Sequence, residues 1–253
     1  EPDMTDTEIK LQPYLFPVRE QTAYYKDNDA RVTLAPRYKA IVDDRTGDLI
    51  SIMSGTYQLV PNREVILPVM DQLSQLATKW YIDETHSFVQ PNRMRLQVTF
   101  PDLTFFDGKS EIAMSMYLHN SYDGSEGVRM FWGAIRFICS NGMVFGKVLS
   151  KFYSRHTKNI NISNIREQVE QTYDQIPMIS ERVQILQSLS VTQSIMENTK
   201  KQMGAGVMSH VENGPHPLNQ WALYNLITWY ISHQVEQRMR ASYQMKLSRL
   251  FEL

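Results

Sequence analysis

A chain of 253 residues, 42% hydrophobic and 21% charged, is long enough to bury a substantial core as an ordinary globular protein. Its 26 basic and 27 acidic side chains leave a net charge of -1, which excludes a global basic field advertising nucleic acid. The single cysteine, Cys139, excludes an intrachain disulfide and argues against a cysteine-based zinc site, and no apolar run approaches the ~18 residues of a membrane span.

Cys139 lies among apolar neighbours in "RFICSNG" and reads as a small core residue. The chain starts at Glu1 without a basic-then-apolar leader. Its thiol content suits a reducing compartment, so the expected location is cytoplasmic.

Residues 1–36 carry several prolines and little periodicity, and read as an N-terminal arm. "RYKAIVDDRTGDLISIMSGTYQLV" follows, with two β-prone runs around the hairpin-turn chemistry of "DDRTGD". "NREVILPVMDQLSQLATKW" predicts a helix with Val65, Val69, Leu73 and Leu76 on one face and Asn62 as its N-cap. Pro68 predicts a kink or a later start.

"RMRLQVTF" and "EIAMSMYLH" alternate strictly, which predicts antiparallel strands covered on one side only. Arg93 and Arg95 belong to the polar, solvent-facing side in that reading. "VRMFWGAIRFICSNG" fits strand or helix, and Asn141-Gly142 is a turn signal before "MVFGKVL".

From Ile162 to Met196 the apolar spacing is helical through Val169 and Tyr173, with Pro177 predicting two helices or one sharp kink. "MGAGVMSHVENGPHP" reads as a loop, and one last helix is expected from about Asn219 to Leu250. The expected fold class is α+β: an antiparallel sheet packed with helices, followed by a helical C-terminal part. Residues 37–160 form its mainly β core with one helix, and 161–253 its helical region within the same domain.

Two stretches carry candidate chemistry. "LHNSYDGSEGVRM", from Leu118 to Met130, holds Asn120, Ser121, Asp123, Gly124 and Ser125. These residue types either brace a tight turn or offer hydroxyls and amides to a phosphate. His119, Asp123, Glu126 and His156 are candidate metal ligands, but no compact ligand spacing links them. His210, His216 and His233 read as surface or packing histidines. No Walker-type phosphate loop, dinucleotide fingerprint or Gly-x-Ser-x-Gly elbow occurs, so no cofactor is expected.

The second stretch runs from Val128 to Arg166 without a single Asp or Glu. It holds Arg129, Arg136, Lys147, Lys151, Arg155, Lys158 and Arg166. Phe131, Trp132, Phe137, Phe145, Phe152 and Tyr153 are interleaved, with Trp132, Phe137 and Phe145 read as core. Cations without local acids must face solvent, remote acids or a ligand. With Arg93 and Arg95 they would neutralise phosphates, and aromatics there would stack unpaired bases.

Four segments add a resemblance: "YKAIVDDRTGDLISIMSGTYQLV", "NSYDGSEGVRMFWGAIRFICSNGM", "RHT" at Arg155 to Thr157, and "QWALYNLITWYISH" from Gln220 to His233. In order, from Tyr38 to His233, they are similar to the phage/plasmid-like proteins grouped as domain of unknown function 932. That family often has His where this chain has Tyr122, which argues against a required imidazole there. The resemblance implies a cytoplasmic product of phages, prophages or plasmids, with no generally established activity, encoded among replication and recombination genes. The order of strands, Arg/aromatic segment and helices is also similar to phage single-strand annealing proteins, a likeness of architecture alone.

The resulting expectation is a non-enzymatic phage- or plasmid-derived protein that binds single-stranded DNA, with strand annealing in recombination as the role it would serve. Arg93, Arg95, Arg129, Arg136, Lys147, Lys151, Arg155 and Lys158 would bind phosphates in a homo-oligomer, with no metal and no membrane contact. The alternatives are a metal-dependent enzyme acting on nucleic acid and a factor that binds a host protein.

Overall fold

The computed structural model describes residues 5–136, 141–144, 154–155 and 165–253, the two short internal segments as backbone only. The expected arm is instead built structure. Thr5 opens a short helix α1 (Asp6–Leu11) through a reciprocal capping box with Glu8, and a 3-10 turn follows over Gln12–Tyr14. Strands β1 (Val18–Lys26), β2 (Val32–Asp43) and β3 (Leu49–Ser54) form an antiparallel sheet in chain order. β1 escaped recognition because eight of its nine positions lie outside the core, so burial imposes no apolar alternation on it. The "DDRTGD" turn forms as expected: Gly47, at φ 77°, donates its N–H to Asp43 O at 2.8 Å.

Helix α2 (Asn62–Ser74) buries Val65, Ile66, Val69 and Leu73. Pro61 occupies the cap position, and Asn62 serves elsewhere, as described below. The helix passes through Pro68, which is exposed, so the Glu64 carbonyl it frees faces water.

The main sheet contains β4 (Tyr81–Ile82), β5 (Phe88–Gln90), β6 (Arg93–Phe106), β7 (Glu111–Ser121), β8 (Arg129–Arg136), β9 (Asn141–Val144) and β10 (Ser154–Arg155). Its order is β10-β8-β7-β6-β4, with β5 also on β6 and β9 also on β8, all antiparallel. The ambiguous "VRMFWGAIR" is thus strand. Asn141 and Gly142 are not a turn but strand residues paired with Arg136 and Ile135.

Five helices complete the α+β chain: α3 (Ile165–Ser188), α4 (Gln193–Met203), α5 (Ala205–Asn213), α6 (Gln220–Gln234) and α7 (Gln237–Phe251). α3 runs unbroken through Pro177, again on an exposed side, and Tyr173 is exposed rather than packed. The Gly-rich stretch expected as loop contains α5. The expected single last helix divides where Val235 turns extended, at ψ 135°.

One face of the main sheet carries Met94, Leu96, Val98, Phe100, Met114, Met116, Leu118, Met130 and Trp132 into a core shared with α2 and α3. The opposite face was expected to be solvated and is not. Gln97, Thr99 and Ser115 there are fully buried and hydrogen-bond one another, and Tyr117 and Phe131 pack on Ala241 and Met245 of α7. The pattern misled because its polar side chains hydrogen-bond one another, and a helix more than 100 residues downstream covers Tyr117 and Phe131 on the same face.

Candidate functional site

Antiparallel pairing aligns one residue from each of five strands: Phe88 of β5, Arg95 of β6, His119 of β7, Arg129 of β8 and Arg155 of β10. Directly paired residues share a face of the sheet, so Arg95, His119 and Arg129 form a cross-strand row, with the Arg155 backbone in register beside Arg129. Arg93 lies two positions from Arg95 on the same face.

The row descends from the sheet edge into the interior. Arg155 holds its place by backbone pairing beside Arg129, which is half-buried. His119 is 2% exposed and its Nδ1 lies 3.2 Å from Glu126 Oε2. Burial pushes the imidazole below its ordinary pKa, against the pull of Glu126. Burial alone would raise the Glu126 carboxyl, but the hydrogen bond with His119 and the nearby Arg129 and Arg93 hold it below its usual value. An ionised Glu126 only accepts, so the neutral ring donates from Nδ1. Its Nε2 then carries a bare lone pair, and it has no partner among the described residues.

Arg95 is 3% exposed. Its Nη2 donates to Gln244 Oε1 at 3.0 Å, and its guanidinium lies over the Tyr117 ring, 4.6 Å from the centroid. It does not project from an open sheet face but lies beneath α7 at the floor of a cleft, which corrects the expected solvent-facing role. Arg93 is largely covered: its Nη2 donates to Ser125 Oγ at 2.7 Å and lies 3.6 Å from Asp123 Oδ2. Arg136 is removed from any surface groove. It is 5% exposed, with Nη2 donating to Asp107 Oδ2 at 2.5 Å and to Asn225 Oδ1 at 2.8 Å. The remote acid is thus the answer for Arg136. Lys147, Lys151, Lys158, His156, Cys139, Phe137, Phe145, Phe152 and Tyr153 lie outside the described residues.

The Leu118–Met130 loop braces itself. Asp123 Oδ1 accepts from the Ser125 amide at 2.9 Å and from its hydroxyl, and Oδ2 accepts from Asn92 Nδ2 at 2.6 Å. Ser121 Oγ accepts from the Glu126 amide at 3.0 Å. Gly124, at φ 71°, supplies the turn's left-handed residue. Asn120 Nδ2 donates to Val60 O at 2.7 Å and to Asn62 Oδ1 at 2.9 Å.

Tyr122 is fully buried against Phe16 and Ile41, and its hydroxyl accepts the Asn62 amide at 2.6 Å. Ser51 donates to the Tyr122 carbonyl, and Tyr57 to that of Ser121 at 3.1 Å. The loop therefore ties the small sheet and the start of α2 to the end of β7. Of its hydroxyls and amides, only the Ser125 hydroxyl reaches toward the cationic face, where it takes Arg93. The candidate metal ligands are not brought together: Asp123 serves the turn, while His119 and Glu126 pair with each other. Among the described residues, no three His, Cys, Asp or Glu side chains are grouped to hold a metal.

Sequence reasoning missed the residues that close over Arg95. A cleft at the α6–α7 junction is lined by His86, Phe88, Arg95, Gln237, Arg240 and Gln244 among others. The approach of Arg240 to Arg95 has no local signal, because it depends on where α7 packs. His210 and His233, expected at the surface or in packing, sandwich Trp229 at ring separations of 5.2 and 4.7 Å. Among the described residues no helix is long and apolar enough to cross a membrane.

A family model described as a domain of unknown function (DUF932) matches residues 49–251. No curated protein and no solved structure matches the chain.

Proposed function

The chain belongs to the DUF932 family, and from that footing we propose that it binds single-stranded DNA along the β8–β10 edge of the main sheet. The observation that carries this reading is the pairing of Arg129 with Arg155 at the outer end of the cationic row. Both belong to the Val128–Arg166 segment, which contains no acidic residue. Arg136 of that segment is bound by buried Asp107, and Arg166 has the surface partner Glu170; Arg129, Arg155, Lys147, Lys151 and Lys158 are assigned as the phosphate-neutralising set. Arg93, on the same sheet face as Arg129, is oriented by Ser125. A cytoplasmic setting, a phage or plasmid origin, self-association and a part in strand annealing accompany this proposal.

Fluorescence anisotropy with labelled oligonucleotides across a salt series is the test. Each phosphate contact contributes about 0.7 to the log–log slope for a single strand, so a set of this size predicts steep weakening with salt. Binding that ignores salt, or none at low salt, would overturn the reading.

A further inference from the structure

We infer that the cleft at the α6–α7 junction is a phosphate-binding site, taking a phosphomonoester at its mouth against Arg240, with Arg95 behind it. This goes beyond the strand-binding edge, since Arg240 and the α6–α7 junction have no part in the Arg129–Arg155 pairing.

Two guanidiniums line the cleft. Arg95 is almost wholly buried, and its Nε has no hydrogen-bond partner among the described residues. Arg240 uses its Nε on the Val235 carbonyl, at 2.8 Å. Among the described residues neither has a carboxylate within ion-pair distance, and three acids of neighbouring segments have other partners. Asp83 faces His86 at 3.1 Å, Glu126 faces His119 at 3.2 Å, and Glu236 faces Arg238 at 2.8 Å.

Arginine does not shed its proton under burial, so both groups stay charged. Burial disfavours the charged form of each, and Arg240 adds repulsion to Arg95. Two like charges, one of them sealed, then face each other without an ion pair, and Arg95 has only the attraction of Glu126, beyond salt-bridge distance, to offset them. A buried charge in that state is expensive unless something neutralises it. Gln244 and the Tyr117 ring orient Arg95 but bring no negative charge.

The backbone adds to the same field. Gln237, on the cleft wall, is the first residue of the fifteen-residue helix α7, and Glu236 provides no side-chain cap. That first turn, without a side-chain cap, carries the positive end of the helix dipole. Two guanidiniums match a phosphomonoester, at about -1.5 to -2 charge near neutral pH, better than a single carboxylate. The cleft is partly open but its interior is only about the size of a water molecule, so the phosphate sits at its mouth, against Arg240, and the rest of the ligand stays outside. The phosphomonoester could belong to a free nucleotide or to the 5′ end of a strand.

Isothermal titration of the full chain with inorganic phosphate, dAMP, and 5′-phosphorylated and 5′-hydroxyl oligonucleotides tests this. The expected result is saturable binding of at least one phosphomonoester, at least tenfold weaker in Arg240→Gln and partly restored in Arg240→Lys, with circular dichroism unchanged. Tighter binding of the 5′-phosphorylated strand than of its 5′-hydroxyl twin would assign the strand end as source, and binding of dAMP without that difference would assign the nucleotide. The site is overturned if neither phosphate, dAMP nor the 5′-phosphate gives binding, or if Arg240→Gln leaves it unaltered. Anisotropy with the 5′-hydroxyl strand reads the β8–β10 edge separately, so failure of one site does not mimic failure of the other.

Discussion

Arg136 and Asp107 form a buried ion pair, Nη2 to Oδ2 at 2.5 Å, in which the carboxylate also accepts from Trp221 Nε1 at 2.8 Å. The pair joins β8 to the β6–β7 turn and to the start of α6. Replacing Asp107 with Asn would leave Arg136 charged and under-paired in the interior. Removing one partner of a buried pair costs roughly 3–5 kcal/mol. Denaturant unfolding of Asp107→Asn should show that loss as a lowered midpoint with little change in slope.

Acid should act on the same carboxylate. Burial raises the Asp107 carboxyl, but hydrogen bonds from Arg136, Trp221 and Ser110 overcome it and hold it down to about 2. Its folded pKa is below the ordinary 3.8, so its stabilisation is present above pH 4 and is lost as pH falls from there toward 2. A shift of this size is worth on the order of 2 kcal/mol. Stability measured against pH should drop through that window in the native chain, and the drop should be smaller in Asp107→Asn.

His119 predicts a separate, earlier step. Its folded pKa lies below the ordinary 6.5, so the unfolded chain takes the proton first. Stability should begin to fall as pH drops below about 6.5, and His119→Gln should remove that part of the slope. NMR titration that finds the imidazole protonated at neutral pH would contradict the assignment of a neutral ring.

Tyr122 is the hinge of the loop that ties the two sheets. Tyr122→Phe keeps the ring against Phe16 and removes the acceptor for the buried Asn62 amide. An unsatisfied buried donor costs about 1–3 kcal/mol, and thermal unfolding should show it. Gly124→Ala should also destabilise, since φ is 71° there and a Cβ would lie 2.8 Å from Met53 Cε.

For strand binding, the double variant Arg129→Gln/Arg155→Gln should lower the salt slope by about 1.4, two contacts at roughly 0.7 each. An unchanged slope would remove the edge from the interface.

The alternating "RMRLQVTF" and "EIAMSMYLH", the "DDRTGD" turn, α2 and the order of sheet before helices were all legible in the sequence. Each is written in local spacing: period two for strands, three to four for helices, and Asp and Gly where the backbone must reverse. The Asp, Gly and Ser content of the opening loop likewise announced a turn, and the side chains brace one. What local spacing could not carry is where a polar side chain finds its partner. Arg95 meets Gln244, Arg136 meets Asp107 and Asn225, and Asn62 meets Asn120, all far apart in the chain. An arginine looks the same in sequence whether it faces water, a phosphate or a distant carboxylate. Its fate depends on which element packs over it, and burial makes that choice binding, because a charge sealed from water must be satisfied by whatever the fold brings beside it. Thus the acid-free run of cations was readable from the sequence by itself. Only the tertiary structure decided that Arg95 and Arg136 turn inward while Arg129 pairs with Arg155 at the edge.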